Sequence, residues 1–166
     1  MESRRRCLGG ISISKLFSRN YESPIGSLGL LADEDFLLEI SLQGIEYLSL
    51  KGERSNGRFA KELIELDEYF KGERKKFTLK YKVNASNFAN KVYKEMLRIP
   101  YGKTIPYSKL ASNIGKENAY RAVGTACGKN KLPIIIPCHR VVAKDGLGGF
   151  GGGLDCKRFL LELETN

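Results

Sequence analysis

The spacing of apolar and polar positions changes character near residue 83. Before it, three short apolar or alternating runs, 15–21, 27–32 and 36–42, predict β-strands. Turn signals separate them, Ser23-Pro24-Ile25-Gly26 and then Asp33-Glu34-Asp35, as in an antiparallel meander. Phe59, Leu63, Leu66 and Phe70 then recur on one helical stripe, predicting a helix over 59–70 that Gly72 ends. A charged connector, 71–82, leads into 83–86. The expected organisation is a scaffold domain over 1–82, with 1–14 a loose extension, and a second domain over 83–166.

The second half reads as helical. Phe88, Val92, Tyr93 and Met96 share one face of a helix that stops before Pro100. A short helix over 107–114 carries apolar Leu110, Ala111 and Ile114, and Gly115 breaks it. Asn118 is placed to cap a helix over 119–129. Two short helices about a glycine-bearing turn predict a helix-turn-helix. The second helix is small-sided, with Ala119, Ala122, Gly124, Thr125 and Ala126, and carries one long cation, Arg121. Such a surface suits either tight packing on a neighbouring element or close approach to DNA. Residues 133–137, Pro-Ile-Ile-Ile-Pro, read as a buried strand-like run. Cys138-His139-Arg140, a glycine-rich loop over 146–153 and a last helix over 155–164 follow, giving an α+β chain without internal repeats.

Charge sharpens the division. The chain has 166 residues and a net charge of +9. Residues 1–80 hold 14 basic and 13 acidic side chains, net +1, and residues 81–166 hold 14 and 6, net +8. A positive field confined to one half favours a polyanion such as nucleic acid or an anionic membrane surface, with a plain solubilising basic surface as the other reading. With 42% apolar residues, the composition excludes a fibre or a disordered tail. No apolar run approaches the roughly 20 residues of a membrane helix, so no membrane partner is expected. Four cysteines, no C-x-x-C pair and one histidine exclude an ordinary Cys/His zinc site, so no metal is expected. No secretory signal is recognisable, and reduced thiols in the cytoplasm are the expectation.

Chemistry concentrates at Cys138. A thiol directly after Ile-Ile-Ile-Pro sits at the end of a buried element, beside the only histidine and an arginine. A nearby imidazole or positive charge favours thiolate. The residues alone leave a structural buried cysteine equally open. Neighbours in an extended segment point apart, so His139 is expected to reach the sulfur through a water, with Glu164 or Glu162 orienting the imidazole from the far side. Gly146-x-Gly148-x-x-Gly151 matches the dinucleotide fingerprint in letters only. The chain runs about 15 residues further, too few for a βαβ unit with its ribose-binding acid. A tight loop against a flat ligand is the expectation instead.

Pro137-Cys138-His139-Arg140-Val141 resembles the active-site signature of the O6-alkylguanine-DNA alkyltransferases. The resemblance spans roughly residues 16–164: Ser23-Pro24-Ile25-Gly26-Ser27-Leu28, Tyr69-Phe70-x-Gly72, Ile99-Pro100-Tyr101-Gly102-x-Thr104, Arg121-Ala122-Val123-Gly124, Asn130 and Gly152-Gly153-Leu154-x-x-Lys157 fall in family order. It implies a ribonuclease H-like sheet domain followed by a winged helix-turn-helix-like catalytic domain. It further implies a single-use, cofactor-free reaction in which Cys138 keeps the alkyl group. His139 acts through a water, Glu164 polarises His139, and Asn130 holds the active-site turn. Tyr107 helps rotate the nucleotide and contacts the base, and Arg121 fills the vacated space in the duplex. Ser108, Ala119, Ala122 and Thr125 meet DNA in the minor groove, and Pro133, Val141, Phe150 and Gly151 form the base pocket. The implied partner is double-stranded DNA bearing O6-alkylguanine, with O4-alkylthymine as a second lesion, met by a monomer.

Two positions depart from the family pattern. Phe150 stands where the family usually has Tyr, and Gly151 where many members have Ser, so a loop hydroxyl that could donate to guanine O6 is missing. One other reading within reach of the family is an alkyltransferase-like sensor, which binds damage without repairing it and lacks the acceptor cysteine. A small-molecule cysteine hydrolase is the third reading, and it has no use for Arg121 or the charge asymmetry.

Overall fold

The computed structural model describes residues 14–166 and, as backbone pairing only, Cys7–Leu8 with Ile11–Ser12. The extension expected over 1–14 lies almost wholly outside the described residues. Strands β1 (Phe17–Ser23), β2 (Gly26–Ala32) and β3 (Leu37–Ser41) form the antiparallel meander, with Ser23 paired to Gly26 across the predicted turn. A two-residue strand β4 (Glu53–Arg54), absent from the sequence reading, adds in parallel to β1, giving the order β3-β2-β1-β4. It is too short to carry a periodic signal. The connector is not free: Leu37 N donates to Lys80 O, and Lys82 N to Leu37 O.

Helix α1 (Ala60–Phe70) buries Leu66, Tyr69 and Phe70 against the sheet, and Phe59 is buried just before it. Helix α2 (Asn87–Met96) begins where the Ser86 hydroxyl accepts a bond from Ala89 N, and buries Val92, Tyr93 and Met96. Strand β5 (Ile105–Pro106) leads into α3 (Tyr107–Asn113) and α4 (Tyr120–Gly128), the two helices of the helix-turn-helix. Ala119, not Asn118, occupies the N-cap of α4, and no side chain caps it. Strand β6 (Val141–Val142) pairs in parallel with β5, tying the helix-turn-helix to the segment after Cys138. Helix α5 (Leu154–Thr165) ends the chain. One apolar core runs through both halves, from Leu28 and Leu30 of the sheet to Leu110, Val123 and Leu160 of the helices.

The largest departure from expectation is 133–137, which is a buried turn rather than a strand. Ile136 N donates back to Leu132 O at 2.8 Å, and Ile134 takes a left-handed φ of 74°. A β-branched residue avoids that region at a cost of about 1–3 kcal/mol unless its surroundings over-determine it. Asn130 supplies the constraint: its Oδ1 accepts from Leu132 N at 3.0 Å, and its Nδ2 donates to Ile136 O at 2.8 Å. The segment after the turn is not extended either, because Cys138–Arg140 form a 3-10 turn.

Candidate active site

The tightened turn places Cys138 at the inner end of a cavity of about 260 Å³, with the residue itself 7% exposed. Asn130, Pro133, Phe150 and Gly151 line the same cavity, so five of the expected residues meet there. Val141 does not reach it; it is fully buried in β6. A larger groove of about 970 Å³ runs between the sheet and α2 on the other side of Asn130, and it does not reach Cys138.

His139 is fully buried behind Cys138. Its Nε2 lies 2.7 Å from Glu164 Oε1. Burial alone raises the Glu164 carboxyl, yet hydrogen bonds and charge from His139 and Arg140 hold it well below the usual carboxylate range. An ionised carboxylate only accepts, so Nε2 carries the hydrogen. Burial, reinforced by the Arg140 and Lys157 charges, lowers His139 despite Glu164, which keeps the resting imidazole neutral. Nδ1 is therefore a bare lone pair, and it is buried without a hydrogen-bond partner. No hydrogen bond joins it to Cys138 among the described residues.

Glu164 is the centre of a network the sequence did not reveal. It accepts from Tyr69 Oη at 2.7 Å, Arg140 Nε at 2.8 Å, Arg140 Nη2 at 3.0 Å and Gly102 N at 3.2 Å, besides His139. Arg140 is itself fixed by Nη1 donating to Ile99 O at 2.8 Å. Gly102 has a φ of 73°, and a Cβ there would lie 2.6 Å from Glu164 O, so only glycine admits this approach. The alternative carboxylate, Glu162, is exposed on the other face of α5.

Lys157 is the second residue whose place the sequence did not reveal. It is fully buried; its Nζ donates to Val141 O at 2.7 Å and Gly149 O at 3.1 Å, and sits 5.9 Å from the Tyr107 ring centroid. It thereby straps the glycine loop to β6. A signal existed: Lys157, Leu160 and Glu164 fall at i, i+3 and i+7, so two charges lie on the apolar stripe of α5.

Two buried thiols share the cavity, and burial pushes both up. Burial pushes the Cys138 thiol up, opposed by a hydrogen bond from Asn130, the Lys157 charge and the backbone N–H groups of Cys138 and His139. Cys127 also lines the cavity, and burial pushes its thiol up to about 12, with the neighbouring Cys138 adding to the rise. Tyr107 packs under the loop, its hydroxyl 3.5 Å from Gly149 O. Gly148, with φ 70°, leaves room for it: a Cβ there would meet the ring at 2.8 Å. Burial pushes the Tyr107 hydroxyl up to about 12, helped by the two thiols, so it stays a proton donor at neutral pH.

The remaining expected residues form a separate, outward face. Arg121, Ala122 and Thr125 on α4 and Ser108 on α3 are exposed, and Ala119 is half-buried. Arg121 lies over the Tyr120 ring with its guanidinium carbon 5.9 Å from the centroid. Gly128 at the C-terminal end of α4 lines the Cys138 cavity, so the helix links the outward face to the thiol.

Comparison with known proteins gives a consistent set. The family described as 6-O-methylguanine DNA methyltransferase, ribonuclease-like domain, matches residues 16–83, and the DNA binding domain of the same family matches 87–166. A methylated-DNA–protein-cysteine methyltransferase of Methanosarcina barkeri is 42% identical over 149 residues, covering 87% of this chain and 94% of that protein. The Mycobacterium leprae protein of the same name is 40% identical over 151 residues, covering 89% and 92%. Among solved structures, Mycobacterium tuberculosis OGT in complex with DNA superposes with a TM-score of 0.84 at 38% identity, covering 90% of this chain and 92% of that one.

Proposed function

Because the chain belongs to the methylated-DNA–protein-cysteine methyltransferase family, we propose that it repairs O6-alkylguanine in double-stranded DNA by taking the alkyl group permanently onto Cys138. The observation that carries this reading is the buried His139, held by Glu164 at Nε2 and bare at Nδ1, next in the same 3-10 turn to a thiol that opens into a cavity. Attack at an unactivated alkyl carbon needs a strong, soft nucleophile, and thiolate is the best that side chains offer. The Cys138 proton passes through a bridging water to His139 Nδ1, and Glu164 stabilises the imidazolium that results. The S–C bond forms as the C–O6 bond breaks. The electron pair goes to guanine, and Tyr107 donates a proton to N3 of the leaving base. The thioether product is not reversed by thiol exchange, so each molecule acts once. The chemistry needs no cofactor, and Asn130 keeps the turn that aims the sulfur.

A stacked base cannot present its O6 substituent to a pocketed thiol, so the nucleotide is flipped out of the duplex. Arg121 enters the space it leaves, and Ser108, Ala119, Ala122 and Thr125 lie along the minor groove, where small side chains permit close approach. The basic excess of the second half supplies sequence-independent affinity for phosphates. Pro133, Phe150 and Gly151 contact the flipped base, and Val141 supports the pocket from behind. Functionally the chain divides after Lys82 into scaffold and catalytic parts. It acts on the lesion as a monomer. A reducing cytoplasm suits an acceptor that must stay unpaired, and Cys127, Cys138 and Cys156 are all free thiols. The sensor alternative lacks an acceptor cysteine, which this chain has.

Incubation with duplex DNA carrying O6-methylguanine is expected to add one methyl per protein on the Cys138 peptide, without cofactor. Repaired DNA beside protein of unchanged intact mass overturns the proposal. The same assay with O4-methylthymine tests the second lesion. Arg121→Ala is expected to slow repair in duplexes about 10-fold or more, while leaving reaction with the free base O6-benzylguanine much less affected. Equal slowing of both removes Arg121 from the flipping step.

A further inference from the structure

The cavity in front of Cys138 is built by both halves of the chain. Cys138, Pro133 and Phe150 line it together with Leu42, Gln43 and Tyr47, from the segment at and after the end of β3 in the sheet domain. That segment is held at several points. Ile45 N donates to Asn20 Oδ1 at 3.0 Å. Ser49 N donates to Glu39 at 3.0 Å, the Ser49 hydroxyl also bonds Glu39, and Lys131 Nζ reaches Ser49 Oγ at 2.9 Å. Ile40 N donates to Lys131 O at 2.8 Å, fixing the end of β3 to the helical half. Leu42 closes the seam against the glycine loop, where its Cδ1 is the nearest atom to a Cβ placed on Gly152, at 2.9 Å. Tyr47 is different: it lines the cavity yet is 67% exposed, and its side chain makes no hydrogen bond or aromatic contact among the described residues.

The geometry of displacement gives this wall a use. Sulfur, alkyl carbon and leaving oxygen lie in line, so whatever else the carbon carries must project sideways. A methyl carries only hydrogens, whereas a benzyl-type group carries a flat ring that needs apolar surface beside the thiol. We propose that the sheet domain selects the alkyl group: Leu42 and Tyr47 form the wall along which the ring of a bulky aryl-methyl adduct lies, with Tyr47 stacking on it. The inference rests on the alkyl-transfer reading above. It makes the ribonuclease-like half part of the substrate site rather than scaffold alone.

The test compares single-turnover transfer from O6-benzylguanine and O6-methylguanine placed in the same duplex, so that any effect on DNA binding cancels in the ratio. Tyr47→Ala is expected to lower the benzyl-to-methyl rate ratio about 3- to 10-fold, the range of an aromatic pair contact, and Tyr47→Phe to retain the wild-type ratio. The exposed position of Tyr47 keeps both variants folded. A ratio unchanged in Tyr47→Ala, or raised because the ring obstructs rather than stacks, overturns the proposal. If wild-type protein moves neither group onto Cys138, the alkyl-transfer reading falls first and this inference with it.

Discussion

Cys138→Ala is expected to abolish methyl transfer, by at least about 10⁴-fold, and to leave binding to duplex DNA intact. The reason is positional, because burial pushes both thiols of the cavity up. A second thiol, Cys127, faces the same cavity and is the obvious substitute. Its burial pushes it up to about 12, so at neutral pH only about one molecule in 10⁵ carries the thiolate. Its sulfur also rests 3.7 Å from Met96 Sδ, on the core side. The Lys157 charge acts on both thiols; Cys138 differs in its hydrogen bond from Asn130 and in having His139 next to it in the chain. The alanine leaves a small void, which costs about 1 kcal/mol, too little to unfold the chain. The outward face of α3 and α4 is untouched, so DNA affinity should match wild type. Peptide mapping after exposure to O6-methylguanine DNA decides the matter: methyl found on Cys127 of the variant means that the cavity, and not the specific environment of Cys138, selects the acceptor.

How much of this was legible beforehand follows from the range of the interactions. The meander was readable because Ser23-Pro24-Ile25-Gly26 and Asp33-Glu34-Asp35 are local turn chemistry. The helices were readable from apolar stripes. Asn130, Cys138 and His139 lie within ten residues, so a short motif contained them. The turn at 133–137 was misread because three isoleucines mimic a strand. What bends them is a side chain, Asn130, satisfying Leu132 N and Ile136 O together. Beyond His139, the partners of Glu164 could not be read. Tyr69 and Gly102 approach it from 95 and 62 residues away, and only tertiary packing makes them neighbours. The same holds for Tyr47, which no pattern connects to Cys138. The glycine loop illustrates the reverse: its fingerprint letters are present, but Gly148 serves the ring of Tyr107 and not a pyrophosphate.

Glu164→Gln is expected to damage stability and catalysis together, and the two can be separated by pH. Glu164 accepts from Tyr69, His139, Arg140 twice and Gly102, and every partner is a donor. An amide turns its NH₂ toward some of these donors and leaves the buried Arg140 charge unpaired. Breaking one side of a buried ion pair in this way costs about 3–5 kcal/mol, which urea unfolding at pH 7 measures directly. The pH dependence follows from the directions of the shifts. His139 is lowered and Glu164 is lowered, so at each group the unfolded chain binds protons at a higher pH than the folded one. From these two groups stability is fully present above about pH 6.5, falls below it as His139 takes a proton only in the unfolded state, and falls more steeply below about pH 4.5 as Glu164 does the same; at alkaline pH the raised Cys127 and Cys138 thiols act in the opposite sense. In Glu164→Gln the lower step disappears. Catalysis reports separately, because Glu164 touches no substrate and works by fixing the His139 tautomer. With the amide in place Nε2 need no longer carry the hydrogen, and the Nδ1 lone pair that receives the Cys138 proton is no longer assured. Transfer by the folded variant should fall about 10- to 100-fold near neutral pH and recover only as the pH is raised past the ordinary range of a free thiol, because burial pushes the Cys138 thiol up. A variant that loses stability but keeps the wild-type pH–rate profile would show Glu164 to be a structural anchor alone, with His139 oriented by its burial.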